Sequence, residues 1–128
     1  MMSTVGVGVD VVDVARFARA LERHPRLVER LFTERERDDA ACRPERLAAR
    51  FAAKEAVLKA LGSGLGDASF RSIEVRRAAS GAPHLVLSDE AQRLALSRGV
   101  DQWHLSLSHT ASTATAFVIA SAEVDDAG

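Results

Sequence analysis

Residues 46–61 read RLAARFAAKEAVLKAL, the stretch that decides the fold. Alanine, leucine, arginine, lysine and glutamate, which favour helices, fill most of it. Apolar side chains recur along it at helical spacing, on one stripe: Leu47, Phe51, Leu58 and Leu61. We therefore predict a long amphipathic helix that buries this stripe and ends in the glycine-rich loop that follows.

Residues 5–11 alternate between two residue classes, which predicts a β-strand. Valine occupies the odd positions, and the even positions hold Gly6, Gly8 and Asp10. The glycines share a face with Asp10 and leave space around its carboxylate. Two readings stay open: an exposed face of an edge strand, or a carboxylate that a ligand approaches closely.

Further helices follow from capping signals. Asp13 is an N-cap signal for a helix over residues 14–23. Pro25 suits the first position of a short helix that extends to Phe32. Thr33 and Glu36 form a capping-box pattern for a helix that ends near Ala41. A last helix is predicted over residues 89–98.

The second half of the sequence predicts strands. Residues 73–75 and 85–87 flank turn residues and predict a hairpin. Two more strands are predicted over residues 103–109 and 115–121, and the last is so apolar that we expect both its faces to be buried. The fold class is α+β: a single domain over residues 1–122, with an antiparallel sheet packed against a long helix, then a flexible acidic tail over 123–128.

Composition excludes several classes of protein. The chain has 128 residues and a net charge of -1, so it has room for one core and no global basic field for nucleic acid. Its single cysteine, Cys42, forms no internal disulfide and fits a reducing compartment. The N-terminus lacks a signal-peptide pattern, and no apolar run approaches the roughly 20 residues of a membrane span, so we expect a cytoplasmic protein.

The long helix carries a candidate site. Glu55 and Lys59 lie four residues apart and share a face, beside Ala48 and Ala52. They form either an ordinary surface ion pair or, with Asp10, a site for a metal-bound phosphate ester. Carboxylate oxygens suit Mg²⁺, and an ammonium group offsets charge on a leaving phosphate.

Lys54 lies near the apolar stripe of this helix, and we expect it to be partly buried with a partner. It and Lys59 are the two lysines of the chain, against fifteen arginines. A compact ammonium and a planar guanidinium are not interchangeable where the group is half-buried or contacts a phosphate.

A basic surface is predicted on the first helices. Its residues recur at helical spacing and continue past the proline: Arg16, Arg19, Arg23, Arg26 and Arg30. Such a surface is either a solvated face or a docking face for an acidic partner. Nucleic acid is disfavoured because aromatic residues are scarce and the overall charge is balanced.

Other catalytic motifs are incomplete. Ser108 and His109 are neighbours on a strand, so they point to opposite faces and form no nucleophile–base pair. The glycines of residues 6–11 lack the third glycine of a dinucleotide fingerprint. The other histidines have no metal-ligand spacing.

Three blocks together resemble a known family. They read GVGVDVV at residues 6–12, RFAAKEAVLKALG at 50–62 and WHLSLSHT at 103–110. They are similar, in order and spacing, to the signature blocks of the bacterial holo-(acyl carrier protein) synthases, the short, trimeric class of 4′-phosphopantetheinyl transferases. Enzymes of this family move the phosphopantetheine arm of coenzyme A to a serine of an apo acyl carrier protein, with Mg²⁺, and release 3′,5′-ADP.

The resemblance implies roles for individual residues. Asp10 and Glu55 match the metal ligands, and Lys59 the phosphate-contacting lysine. The matches to the coenzyme A contacts are Arg50, Lys59, Gly62, Ser63, Gly64, Gly81, Pro83 and His109. The arginines of the basic surface match the residues that dock the acidic carrier protein. The serine's proton would pass to Glu55 or to water near the metal.

The resemblance also implies a homotrimer with active sites between subunits. The carrier could be that of fatty-acid synthesis, of a polyketide pathway, or both, and composition argues against a membrane or nucleic-acid partner. Two alternatives remain from the residues themselves. One is a non-catalytic docking module for carrier proteins, against which the intact set of Asp10, Glu55 and Lys59 argues. The other is a different Mg²⁺-dependent phosphoester enzyme, against which the carrier-facing arginines argue.

Overall fold

A computed structural model describes residues 1–63, 66 and 69–125. The elements in chain order are β1 (Met2–Asp13), α1 (Val14–Arg23), α2 (Leu27–Leu31), α3 (Glu34–Ala40), α4 (Pro44–Ala60), a short 3-10 helix (Phe70–Ser72), β2 (Ile73–Arg77), β3 (Pro83–Leu87), α5 (Asp89–Ser97), β4 (Gln102–His109) and β5 (Thr113–Glu123). The predicted Gly64 contact to coenzyme A and the last part of the predicted tail, residues 126–128, lie outside the described residues.

Across the described residues, the strands form two antiparallel units. One is a three-stranded sheet in the order β1-β5-β4, and the other is the β2–β3 hairpin. α4 packs across one face of the three-stranded sheet, with α1 and α3 beside it. This arrangement confirms the α+β fold and the sheet packed against a long helix. No described helix is long and apolar enough to cross a membrane.

The two glycines of β1 let α4 approach the sheet. A Cβ atom on Gly8 would lie 1.8 Å from the carbonyl oxygen of Ala56, and one on Gly6 would lie 1.9 Å from that of Ala60. No side chain fits at either distance, so the glycines clear space chiefly for the helix backbone. Ala48 and Ala52, expected beside an open face of α4, are fully buried. Their small size serves helix packing.

The opposite face of the sheet is open. Val7 and Val11 on β1 are 51% and 62% exposed, and Phe117 on β5, paired with Val9, is 41% exposed. The other face of β5 is buried in the core, through Ala114, Ala116, Val118 and Ala120. Within the single chain, the expectation that β5 is buried on both faces was therefore wrong, because α4 covers only one face of the sheet.

Local capping rules are confirmed at two helices. The Asp13 carboxylate accepts the backbone N–H of Arg16 at 2.9 Å, and Thr33 and Glu36 form a reciprocal capping box. The second helix begins at Leu27 and not at Pro25, which lies in a turn closed by the bond from Leu27 N–H to the His24 carbonyl.

The observed start of α4 and the observed end of β5 also differ from the predicted ones. α4 begins at Pro44, two residues earlier than predicted, because a proline at the first turn lacks only an N–H that has no helical partner there. It is buried on more than the predicted stripe, since the sheet, α1, α3 and the hairpin surround it. β5 extends through Glu123, which was predicted to lie in the tail. The Glu123 carboxylate forms an ion pair with the N-terminal ammonium at 2.7 Å.

Candidate active site

Three predicted residues meet where β1 passes α4. Lys59 Nζ lies 2.9 Å from Asp10 Oδ1 and donates a second hydrogen bond to the Val9 carbonyl at 3.0 Å. Glu55, one helical turn before Lys59, lines the same cleft as Asp10. Asp10 therefore faces the helix rather than solvent, and its side chain is 17% exposed. The first reading of Asp10, as part of an exposed strand face, is wrong.

The electrostatics of this cluster centre on Glu55. Burial raises the pKa of its carboxyl above the ordinary value, and the nearby Asp10 carboxylate raises it further, while Lys59 acts in the opposite direction. A carboxylate whose negative form is disfavoured by a second carboxylate gains from an added cation. The pair thus holds unbalanced negative charge at the mouth of the cleft.

The donor set fits a magnesium ion. Asp10 and Glu55 offer hard carboxylate oxygens, the ligand type that Mg²⁺ prefers. Within residues 1–63, 66 and 69–125, no group of three or more histidine, cysteine or acidic side chains could enclose a metal ion. Two carboxylates with open positions match a cation that also binds water and substrate phosphate.

An aromatic wall adjoins this acidic pair. The cleft measures about 740 Å³, and we call it the acidic cleft. Its wall includes Phe17, Phe51 and Phe70, whose ring centroids are 5.1 Å apart for Phe17 and Phe51 and 5.8 Å apart for Phe51 and Phe70. Arg16 also lines the cleft. The arrangement combines metal-binding oxygens, a cationic group and an apolar wall in one depression.

A second depression, of about 230 Å³, gathers most of the other residues predicted to contact coenzyme A. We call it the arginine pocket, and its lining includes Arg46, Arg50, Arg77, Gly81, Pro83 and His109. Sequence reasoning missed Arg46 and Arg77. Arg46 could have been found from its spacing, since it lies one helical turn before Arg50.

Arg50 carries a buried guanidinium in the arginine pocket. Only 3% of the residue is exposed, one of its Nη atoms donates to the Arg46 carbonyl at 3.2 Å, and its Nε has no hydrogen-bond partner among the described residues. Burial lowers the pKa of Arg50, and the neighbouring Arg77 guanidinium lowers it further. An anionic group would relieve both the missing hydrogen bond and this repulsion.

The two depressions are separate within one chain. No described residue lines both of them. Gly62 and Ser63 lie just after the end of α4, close to Lys59 in the sequence. Gly62 adopts a left-handed conformation with φ of 70°. The structure therefore brings the predicted metal ligands and Lys59 together, but it places Arg50, Gly81, Pro83 and His109 in another pocket.

The predicted basic surface is exposed. All five of its arginines are exposed, and Arg23, Arg26 and Arg30 line a shallow groove with Leu27. Arg16 connects this surface to the acidic cleft, because it lines the cleft beside Asp13. A partner on the arginines would therefore reach the mouth of the cleft.

Lys54 is more deeply buried than predicted. Its side chain is fully buried rather than partly buried, and its partner is Glu36, at 2.7 Å. Sequence reasoning assigned Glu36 only to the capping box and missed this ion pair.

Known proteins resemble this chain over nearly its whole length. A holo-[acyl-carrier-protein] synthase of Clavibacter sepedonicus is 55% identical over 119 residues, which cover 92% of this chain and 96% of the relative. A crystal structure of the holo-(acyl-carrier-protein) synthase of Bacillus anthracis, in complex with CoA (3′,5′-ADP), is 36% identical with a TM-score of 0.77 and covers 96% of this chain and 100% of that one.

A second solved structure, the ACPS–CoA complex of Chronobacterium ammoniagenes, is 32% identical with a TM-score of 0.82 and covers 97% of this chain and 99% of that one. The sequence profile of the 4′-phosphopantetheinyl transferase superfamily matches residues 6–118. The profile spans both the strand that carries Asp10 and the helix that carries Glu55 and Lys59. On these grounds the chain belongs to the 4′-phosphopantetheinyl transferase superfamily.

Proposed function

We propose that the chain is a holo-(acyl carrier protein) synthase, which transfers the 4′-phosphopantetheine arm of coenzyme A to a serine of an apo acyl carrier protein and releases 3′,5′-ADP. The observation that carries this proposal is that Asp10 and Glu55 line one cleft and that Lys59 is paired with Asp10. A relative with the same activity in its name, 55% identical to this chain, supports it.

Asp10 and Glu55 hold one Mg²⁺ ion in this proposal. When bound, the ion supplies Lewis-acid stabilisation of charge on the pyrophosphate of coenzyme A. Each carboxylate contributes hard oxygens. The raised pKa of Glu55 reflects first its burial and then its repulsion from Asp10, which a bound cation would offset. Glu55 is also our candidate to accept the proton of the attacking serine, directly or through water.

Lys59 contacts the leaving phosphate. Its side chain is 52% exposed, so its ammonium can turn from the Asp10 carboxylate to a phosphate oxygen. A cation at that position offsets the negative charge that develops on 3′,5′-ADP. Gly62 and Ser63, just beyond α4, accompany it against the phosphates in this proposal.

The arginine pocket takes the nucleotide end of coenzyme A. Arg50 supports this assignment, because its buried guanidinium has a donor to spare. His109, Gly81 and Pro83 line the same pocket and contact the same end of the substrate. Guanidinium groups bind phosphate oxygens through paired hydrogen bonds, which suits the 3′-phosphate.

We infer a homotrimer whose active sites lie between subunits. The acidic cleft and the arginine pocket are separate in one chain, so two copies would bring a cleft to a pocket. The open sheet face offers the contact surface, with Val7, Val9, Val11 and Phe117 exposed on it. An apolar patch of this kind marks an association surface more often than a solvated one.

The exposed arginines of α1 and α2 dock the acidic carrier protein. They lead towards the acidic cleft through Arg16, which places the carrier serine near Asp10 and Glu55. A carrier of fatty-acid or polyketide synthesis meets this description, and the reaction belongs in the cytoplasm. Complementary charge would set the orientation and the rate of docking.

A mass measurement tests the function. The protein is incubated with coenzyme A, Mg²⁺ and an apo acyl carrier protein, and the carrier is then weighed. We expect the carrier to gain the mass of one phosphopantetheine and a metal chelator to abolish the gain. No gain on any fatty-acid or polyketide carrier would refute the proposal.

Mixing inactive variants tests the shared site. Asp10→Asn removes a metal ligand, and His109→Ala alters the arginine pocket. If each site uses two copies, unfolding and refolding the two variants together restores turnover, because some interfaces regain both intact halves. Mixing Asp10→Asn with Glu55→Gln is the matched control and restores nothing. No recovery in the first mixture would place both halves in one chain.

A further inference from the structure

A buried ion pair joins α4 to the segments around it. Lys54 Nζ donates to Glu36 Oε1 at 2.7 Å and to the carbonyl of Phe70 at 2.8 Å, and it also donates to the carbonyl of Ile73. Both charged side chains are 0% exposed. The ammonium therefore uses all three donors on partners within the protein.

Glu36 uses both its oxygens. Oε1 accepts the backbone N–H of Thr33 at 3.1 Å as well as the Lys54 ammonium, and Oε2 accepts the backbone N–H of Val75 at 3.0 Å. One carboxylate thus links the start of α3, the middle of α4 and strand β2. A capping box alone would need only one of these oxygens.

Each pocket has one wall residue whose backbone is bonded to this pair. Phe70, held through its carbonyl by Lys54, lines the acidic cleft. Val75, held through its N–H by Glu36, lines the arginine pocket with Arg50. In the sequence Lys54 directly precedes Glu55, so the anchoring group and the candidate metal ligand lie on the same turn of α4.

We propose that Lys54 and Glu36 act as a positioning pair for the transfer reaction, in which Lys54 sets the Phe70 wall of the acidic cleft and Glu36 sets the β2 wall of the arginine pocket. The proposal rests on the proposed function. Neither residue touches the reacting atoms, so both act through the backbone of the residues they hold. Displacement of a substrate-positioning wall by a fraction of an ångström lowers catalysis or binding without removing any catalytic group.

The variant Glu36→Gln separates the role of Glu36, which holds the β2 wall, from that of Lys54, which holds the Phe70 wall. A glutamine has the same shape but only one accepting oxygen, and its NH₂ group cannot accept the N–H of Val75. The charged ammonium is the stronger donor, so the amide oxygen turns towards Lys54 and the Val75 bond is lost. We expect weaker binding of coenzyme A by about 10-fold, measured by calorimetry, and an unchanged KM for the carrier protein.

Glu74→Gln is the matched control, because it makes the same change one residue before Val75, outside both pockets. We expect wild-type affinity for coenzyme A from it. Loss of thermal stability in Glu36→Gln with wild-type affinity for coenzyme A would overturn the proposal and leave the pair a purely stabilising one. An equal loss of affinity in Glu74→Gln would overturn it as well.

The double variant Lys54→Met/Glu36→Met covers the case in which Glu36→Gln does not fold, since it leaves no unpaired buried charge and no side-chain acceptor for the N–H of Val75. We expect the folded double variant to bind both coenzyme A and the carrier protein more weakly, because both walls lose their anchors. Wild-type affinity for both would overturn the proposal. Failure of the proposed function looks different: the wild-type protein itself would then add no phosphopantetheine to the carrier.

Discussion

Lys54 and Lys59 project from the same helix into opposite environments. They are five residues apart, which turns them about 140° from each other around the axis of α4. Lys54 is fully buried and bonded to one carboxylate and two backbone carbonyls, whereas Lys59 is 52% exposed and bonded to Asp10 and one carbonyl. Each lysine pairs with an acid on another element, yet only the second pair includes a residue, Asp10, that lines the acidic cleft.

The difference shows what makes an ion pair available for chemistry. The Lys54 pair has no donor left, and breaking it would strand a charge in the core. Lys59 is half exposed to water, so its ammonium can exchange its partner for a phosphate at a lower cost than Lys54 could. One helix therefore carries a fixed scaffold on one side and an exchangeable site on the other.

The largest effect we expect is on folding. Lys54→Met should lower the free energy of unfolding by about 3–5 kcal/mol, because Glu36 would remain buried without its partner. Lys59→Met, the matched change on the exposed side, should lower it by less than about 1 kcal/mol. Urea unfolding at neutral pH measures both values. Similar losses in the two variants would remove the contrast.

For turnover, the exposed lysine, Lys59, should be the critical one. Lys59→Met should lower kcat by about 100-fold, the usual cost of removing one donor to a developing negative charge. Lys59→Arg should retain part of the activity, since it keeps the charge but not the compact shape. Steady-state transfer to a carrier protein measures this. Wild-type turnover in Lys59→Arg would mean that the site does not require a lysine.

A smaller effect is expected outside both lysine sites. Replacing Arg16 and Arg23 together by glutamate should raise the KM for the carrier protein by about 10-fold and leave the KM for coenzyme A unchanged. Arg93→Glu, an exposed arginine on α5, is the control for charge. If the KM for coenzyme A rises equally, this surface binds phosphate rather than a carrier.

The smallest expected effect is on the pH dependence of stability. The folded protein raises the pKa of Glu55, so the folded state binds that proton more tightly than the unfolded state does. Below the ordinary pKa this contributes stability, which is lost as the pH rises through the raised value. In metal-free protein, wild type should therefore lose stability relative to Glu55→Gln as the pH rises through that window. Parallel stability curves would contradict the assignment.

Local rules predicted much of the fold. The helix propensities of α4, the Asp13 cap and the Thr33–Glu36 capping box depend on residues within a few positions of each other, so sequence patterns show them. The burial of β5 depends instead on which face of the sheet the helix covers. Alternation in β5 and the valines of β1 does not reveal that choice, and our expectation for β5 failed there.

Some contacts in and around the candidate site could likewise be predicted from local sequence, and others depend on tertiary packing. Glu55 and Lys59 lie one turn apart, so sequence spacing predicts that they meet. Asp10, on a distant strand, joined them only as one of two open readings, which the resemblance then favoured. Glu36 and Lys54 are 18 residues apart on different helices, and nothing in the spacing predicts their contact. Their partnership comes from tertiary packing alone.

The carboxylate pair offers the most direct test of the central claim, that Asp10 and Glu55 form the metal site of a phosphopantetheinyl transferase. The measurement is the mass of an apo carrier protein after incubation with coenzyme A, Mg²⁺ and either wild type, Asp10→Asn or Glu55→Gln, each shown to be folded. The account predicts a gain of one phosphopantetheine with wild type, a rate about 1000-fold lower with each variant, and little rescue by extra Mg²⁺. Wild-type rates in either variant would contradict it.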